Sequence, residues 1–264
     1  MGKATYLERG RVGPPGFPMF KARIRMEVLR EVVEAVSTLV SEAKFVISKD
    51  GLEVKAVDPS HVAMLLLRLS PAAFEEFTGE PTEIGVDMER FKDVLRLSKP
   101  GDSVSLQYDG GKNPLVTRVG KVVRAMSLVD PASLTDPKVP TVNPPAKAVV
   151  RMEELRQGIR GSESIADNVI LELDPDSFTL HSESETDKMD MRLTKTDGLV
   201  AIEAKERVKS MYPLDFFSAM MKSISSADEV TLHVGNEYPL KIEFPVAQQK
   251  GSGEFLLAPR VEEE

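Results

Sequence analysis

The hexapeptide RMEVLR at Arg25–Arg30 returns as RMEELR at Arg151–Arg156. The same displacement lays Phe91–Leu106 (FKDVLRLSKPGDSVSL) on Phe217–Leu232 (FSAMMKSISSADEVTL) without a gap, and Leu52 on Phe178. A repeat with a period near half the chain favours one architecture, two units of like design in tandem. At 264 residues, each unit is long enough to bury its own core. The units are read as residues 19–126 and 147–264, joined by 127–146 and preceded by an extension, 1–18.

The patterning within the units agrees. Leu29, Val32, Val33, Val36, Leu39 and Val40 recur at spacings of three and four, which predicts a helix with one buried face. Met88–Leu97, Glu153–Ile159 and Leu214–Ile224 predict three more, so that each half has two. Strand-like runs flank turn residues in four places. FVIS and LEVKAV surround Asp50-Gly51, VSLQY and LVTRV surround Asp109-Gly110-Gly111, VILEL and FTLHS surround Asp174-Pro175-Asp176, and VTLHV and LKIEF surround Gly235-Asn236-Glu237. These are hairpin signals. Each half therefore reads as an antiparallel sheet with two helices on one face, an α+β fold.

The joining segment holds Pro131, Pro137, Pro140, Pro144 and Pro145. Each proline removes an amide donor and fixes φ, so the segment is expected to be extended. It also carries Leu128, Val129, Leu134, Val139 and Val142, more apolar side chains than a solvated linker uses. Some of them are expected to lie on a surface or to receive a partner.

Composition excludes several classes. Hydrophobic residues at 41% and charged residues at 29% are ordinary for a globular protein. The absence of cysteine removes disulfides, thiolate metal sites and a cysteine nucleophile, and makes an intracellular location the default. The longest apolar run, Val62–Leu67, is far too short to span a membrane. Residues 1–18, rich in Gly, Pro and Arg, lack the apolar core of a secretory signal and are read as a disordered extension foreign to the fold, with Met19 as the native start. The net charge is -8, and the extension holds Lys3, Arg9 and Arg11 against Glu8, so the remainder is more acidic still. That opposes nonspecific nucleic-acid binding over the whole surface while leaving room for a local basic stripe.

Enzyme signatures are missing from the sequence. Gly111-Lys112 and Gly120-Lys121 are followed by Asn113 and Val122, so neither completes a phosphate-binding loop. His61, His181 and His233 lack ligand-like spacing, and Ser60 and His61, adjacent on a strand, would point to opposite faces. No catalytic residue, metal or cofactor is expected. Opposite the apolar stripes, however, stand Arg30 on the first helix, Lys92 and Arg96 on the second, Arg156 and Arg160 on the third, and Lys222 on the fourth. Lys92/Arg96 and Arg156/Arg160 are i, i+4 pairs, each projecting from one side of its helix. An acidic chain that places a cation on this face of all four helices points that face toward a polyanion.

MFKARI (Met19–Ile24), VKAVDPSHVAM (Val54–Met64) and the closing FLLAPRVEEE (Phe255–Glu264) resemble the archaeal and eukaryotic DNA polymerase sliding clamp family, proliferating cell nuclear antigen, from Met19 to the end. The resemblance implies a non-catalytic homotrimeric ring of two-domain subunits. Helices would line its hole, and duplex DNA would be held through Arg30, Lys92, Arg96, Arg156, Arg160 and Lys222 without reading sequence. It implies ring closure by pairing of Leu115, Val116, Thr117, Arg118 and Val119 with Phe178, Thr179, Leu180, His181 and Ser182 of the next chain. It also implies a groove for short peptides of DNA polymerase, clamp loader, nuclease and ligase, formed by His61, Val62, Val139, Pro140, Pro239, Leu256, Ala258 and Pro259. Leucine stands at Leu256 where the family often has an aromatic. The location implied is cytoplasmic and nucleoid-associated in an archaeon, or nuclear in a eukaryote. The alternatives are one subunit of a heterotrimeric clamp, a metal-dependent acidic hydrolase or nuclease, and a sequence-specific DNA-binding protein.

Overall fold

The computed structural model describes residues 18–260; residues 1–17 of the expected extension and residues 261–264 lie outside the described residues. The first half runs β1 (Phe20–Arg25), α1 (Met26–Ser37), β2 (Glu42–Ser48), β3 (Gly51–Val57), β4 (Ala63–Leu69), β5 (Glu76–Gly79), β6 (Thr82–Asp87), α2 (Met88–Arg96), β7 (Ser103–Tyr108), β8 (Leu115–Val119) and β9 (Val122–Met126). The second runs β10 (Ala146–Arg151), α3 (Met152–Ser162), β11 (Asn168–Leu173), β12 (Ser177–Glu183), β13 (Lys188–Thr194), β14 (Leu199–Glu203), β15 (Val208–Pro213), α4 (Leu214–Ser223), β16 (Glu229–Val234), β17 (Leu240–Val246) and β18 (Gly251–Leu257). The repeat survives to the residue: α1 opens at Met26 and α3 at Met152, β3 at Gly51 and β12 at Ser177.

The twice-written phrase marks a strand that enters a helix with no loop between them. In β1 every second side chain is buried, and Arg25, still extended at φ -62° and ψ 139°, is the cap of α1. Met26 then starts the buried stripe, which Leu29, Val32, Val33 and Val36 continue. Arg151 and Met152 do the same for α3. In α2 the cap is Asp87, whose carboxylate accepts the Arg90 amide.

All four predicted hairpins form, as β2–β3, β7–β8, β11–β12 and β16–β17. The strands assemble into a five-stranded sheet (β5-β1-β7-β8-β9), a four-stranded sheet (β13-β12-β11-β15) and a nine-stranded sheet (β14-β10-β16-β17-β18-β4-β3-β2-β6). The nine-stranded sheet takes strands from both halves. Its junction is β18 against β4, seven residues each, from Gly251 opposite Leu69 to Leu257 opposite Ala63. One continuous hydrophobic core consequently runs through both repeats. The helices lie in a single row, α2–α1–α4–α3, because α1 packs against both α2 and α4, and α4 packs against α3.

The strands expected to close a ring are not edges. Strand β8, with Leu115, Val116, Thr117, Arg118 and Val119, lies between β7 and β9. Strand β12, with Phe178, Thr179, Leu180, His181 and Ser182, lies between β11 and β13. Their backbone groups are paired within the chain, so the free edges are one strand further out on each side, at β9 and β13. Neither outer strand belongs to the hairpins expected from the sequence, although KMDMRLT of β13 alternates polar with apolar residues. In β9 (VVRAM) only Met126 is buried, and in β13 (KMDMRLT) only Leu193 is.

Candidate interaction surfaces

The six sequence-assigned cations all lie on the helix row, but their surroundings differ. Lys92 Nζ is 2.7 Å from Glu89 Oε1, Arg96 Nη1 is 2.6 Å from Asp93 Oδ1, and Lys222 Nζ is 2.6 Å from Glu163 Oε1. Asp93 also receives Arg124 of β9 at 3.2 Å. The Arg30 guanidinium rests on Met26 Sδ at 3.3 Å. Arg160 is exposed and forms no ion pair among the described residues. Arg156 is half-buried and donates to the Ile224 carbonyl, so it ties α3 to the end of α4 and acts first as a strut.

Carboxylates match these cations along the row. Arg30 shares α1 with Glu27, Glu31 and Glu34, and α2 holds Arg90, Lys92 and Arg96 with Glu89 and Asp93. Arg156 and Arg160 share α3 with Glu153 and Glu154, while Lys222 shares α4 with Asp215. The row is therefore studded with cations without being strongly cationic. Lys222, then the Ser218 hydroxyl, holds the Glu163 carboxyl below the usual range, and Arg124, helped by Arg96, does so for Asp93.

A second surface forms where β4 meets β18. Met64 of β4 sits opposite Leu256 of β18, and Val142 of the joining segment packs on both, with Val139 at the rim. This small apolar cluster is separate from the main core. The loop before β4 borders it, where the Ala258 amide donates to the Val62 carbonyl at 2.8 Å. Pro239 directly precedes Leu240, which pairs with Leu257, and Pro259 leads to Arg260, whose amide donates to the Met211 carbonyl. Thus Val139 and Leu256 share the cluster, Val62 and Ala258 meet beside it, His61 stands exposed on the same loop as Val62, and Pro140 stays exposed on the joining segment. Met64 and Val142 belong to the cluster although sequence reasoning did not assign them to it. Met64 ends the VKAVDPSHVAM motif, and its register against Leu256 was the missing signal.

One carboxylate shapes this loop. Asp58 is buried, and its Oδ1 accepts the amides of Val62 at 2.7 Å and Ala63 at 2.6 Å. Its Oδ2 accepts the Ser60 amide at 2.8 Å and the Ser60 hydroxyl. With these contacts the chain holds His61 in the left-handed region at φ 59°, exposed at the tip. Burial works to raise the Asp58 carboxyl, but the donated hydrogen bonds outweigh it and hold the group below the usual range. The other histidines have their own partners. His181 Nδ1 is 2.6 Å from Asp190, and His233 Nε2 is 2.9 Å from Glu243. Among the described residues no group of three or more His, Cys, Asp or Glu is placed to hold a metal ion, and no helix is long and apolar enough to cross a membrane.

Two family models match the chain, the N-terminal domain of proliferating cell nuclear antigen over residues 19–121 and its C-terminal domain over 157–260. The DNA polymerase sliding clamp of Methanocella arvoryzae is 37% identical over 247 residues, covering 93% of this chain and 100% of the relative. That of Thermoplasma acidophilum is 36% identical over 249 residues, again covering 93% and 100%. Among solved structures, A. fulgidus PCNA bound to the C-terminal region of FEN-1 superposes with a TM-score of 0.87 at 31% identity, covering 93% of this chain and 100% of that one. PCNA from Thermococcus kodakaraensis gives 0.85 at 27% identity, covering 91% and 100%.

The Asp58 network makes a prediction that stands apart from any ligand. Its folded carboxyl is depressed, so the stabilisation it contributes is present above the ordinary carboxylate pKa of about 3.9 and is lost as pH falls through the folded value. Amide exchange at Val62 and Ala63 should stay protected at about pH 5 and open only at more acidic pH. Asp58→Ala should remove that protection at every pH while amides in the middle of β4 remain slow.

Proposed function

The chain belongs to the proliferating cell nuclear antigen family of DNA polymerase sliding clamps, and on that basis we propose that three copies close head to tail into a ring around duplex DNA. The ring tethers DNA polymerase, clamp loader, nuclease and ligase to DNA and catalyses no reaction itself. Its two units are residues 19–126 and 147–264, with 127–146 as the connector. The archaeal kinship of its relatives suits work in the cytoplasm, on the nucleoid.

One observation carries the assembly. Within the chain, β18 pairs with β4, while their repeat counterparts β9 and β13 remain free at opposite ends of the molecule. An interface that reuses the internal junction is heterologous and forms a ring when its rotation closes. Carrying the β4–β18 register across the repeat sets Val122 opposite Met191 and Arg124 opposite Met189 of the neighbouring copy. It accounts for Val122 and Val123, two valines at 47% and 50% exposure on an otherwise orderly edge. The helix row would then continue from α3 of one copy to α2 of the next and line the hole.

The peptide groove is assigned to the apolar cluster of Met64, Val139, Val142 and Leu256 with the His61–Val62 loop beside it. Its support is the apolar floor beneath the connector and the structural relative that holds the C-terminal region of FEN-1.

Three experiments test these assignments. The turn at Gly120-Lys121 makes Val119 and Val122 a hydrogen-bonded pair, so the amides of Val123 and Ala125 point to the free edge. Val123→Pro and Ala125→Pro should therefore give monomers by light scattering at micromolar concentration; trimers in both would refute the edge. Reversing Arg96, Arg160 and Lys222 to Glu should abolish retention on circular DNA with the trimer intact, whereas unaltered polymerase stimulation would take these residues off the DNA-facing surface. A client peptide binding at about 1 μM draws on about -8 kcal/mol, mostly from a few buried anchors. Val139→Asp with Leu256→Asp leaves unpaired charge where an anchor must sit, so calorimetry should show loss of peptide binding with assembly unchanged.

A further inference from the structure

Three carboxylates on the helix row stand where helix stability argues against them: Glu34 in the last turn of α1, which takes part in no ion pair among the described residues, and two that do hold a cation. Asp93 lies in the last turn of α2, and Glu163 is the C-terminal cap of α3. A helix carries partial negative charge at that end, so a carboxylate there is disfavoured and a cation preferred. Both nevertheless hold the cations that face outward from the row, Asp93 taking Arg96 at 2.6 Å and Glu163 taking Lys222 at 2.6 Å. Glu89, the partner of Lys92, sits in a first turn and is accounted for by the helix dipole alone.

Building on the reading of the row as the DNA-facing surface, we propose that Asp93 and Glu163 are resident counterions that compete with DNA phosphates for Arg96 and Lys222 and keep the ring's grip loose enough to slide. Both carboxyls are held below the usual range by the cations they touch, so they stay charged at neutral pH. A phosphate approaching Lys222 or Arg96 meets a cation whose field is already partly cancelled, with a carboxylate of like sign beside it. Arg96 and Lys222 remain exposed, at 70% and 65% of their side chains, so the competition takes place in solvent, where exchange between carboxylate and phosphate is fast and each pair is weak. The number of phosphates firmly neutralised stays low, and with it the salt dependence of binding. A ring free to move needs contacts that break as readily as they form.

The test uses isosteric neutralisation in the full-length ring, with Glu163→Gln alone and together with Asp93→Asn. The single variant is needed because Asp93 also holds Arg124 on the edge strand β9, whereas Glu163 does not touch that strand. Equilibrium binding to a short linear duplex is measured across a salt series, and diffusion on long DNA is followed after loading. Both variants should bind more tightly at low salt, the double on the order of tenfold, and the slope of log K against log salt should steepen by about 0.9 for each additional phosphate neutralised. Diffusion should slow in the same order. Unchanged affinity, slope and diffusion in intact trimers, while the Arg96/Arg160/Lys222 reversal still loses DNA, would overturn the counterion role and leave the DNA-facing surface standing. If the reversal too leaves DNA binding untouched, the surface assignment fails and this role falls with it.

Discussion

The pairing of β4 with β18 is the interaction on which the rest of the molecule depends. It joins strands of both repeats into one nine-stranded sheet, so the core is shared across the halves and the helices fall into one row. The same contact sets Met64 beside Leu256, producing the apolar floor that Val142 covers. By pairing one copy of each outer strand it leaves the other copies, β9 and β13, exposed at the two ends. An unpaired edge invites pairing, and here the strand that would satisfy it exists on another copy of the same chain.

The junction inside the chain is better secured than the one proposed between chains. Beside β4–β18, the Ser70 amide and hydroxyl donate to the Lys250 carbonyl, and Glu31 of α1 accepts the Ala247 amide. That hairpin tip carries Ala247, Gln248 and Gln249 at positive φ, a conformation that non-glycine residues adopt only when neighbouring contacts hold it. Its repeat counterpart is the short Gly120-Lys121 turn, in which the glycine takes the positive φ without strain. The junction within the chain has the extra tethers, and the edge proposed to meet a separate chain has a plainer turn.

Electrostatics divides in the same way between surface and interior. The chain is acidic overall, yet its helix row offers cations at the surface, of which Lys92, Arg96 and Lys222 are each paired with a carboxylate. Such a surface attracts a polyanion locally through mobile, solvent-screened contacts. Burial of charge is kept for a different task. Asp58 directs its carboxylate at backbone amides to shape the loop that presents His61 and Val62.

Much of this was legible in the chain itself. The repeat, four helices, four hairpins and a cation on each helix follow from local periodicity and turn chemistry, which act over a few residues and survive into the fold. Met19–Ile24, Val54–Met64 and the closing residues were sufficient to point to the family. What the tertiary structure alone decided is which strands end the sheets, which cations are already paired, and which residues form the apolar cluster beside the β4–β18 junction. Strand β9 (VVRAM) carries no alternation, so nothing local marks it as a strand, whereas KMDMRLT of β13 alternates polar with apolar residues but stands outside the four turn-centred hairpin signals. Lys222 meets Glu163 from another helix, and Met64 meets Leu256 across the two halves. These are contacts between residues far apart in sequence, set by sheet register and helix packing, and short-range periodicity holds no information about them.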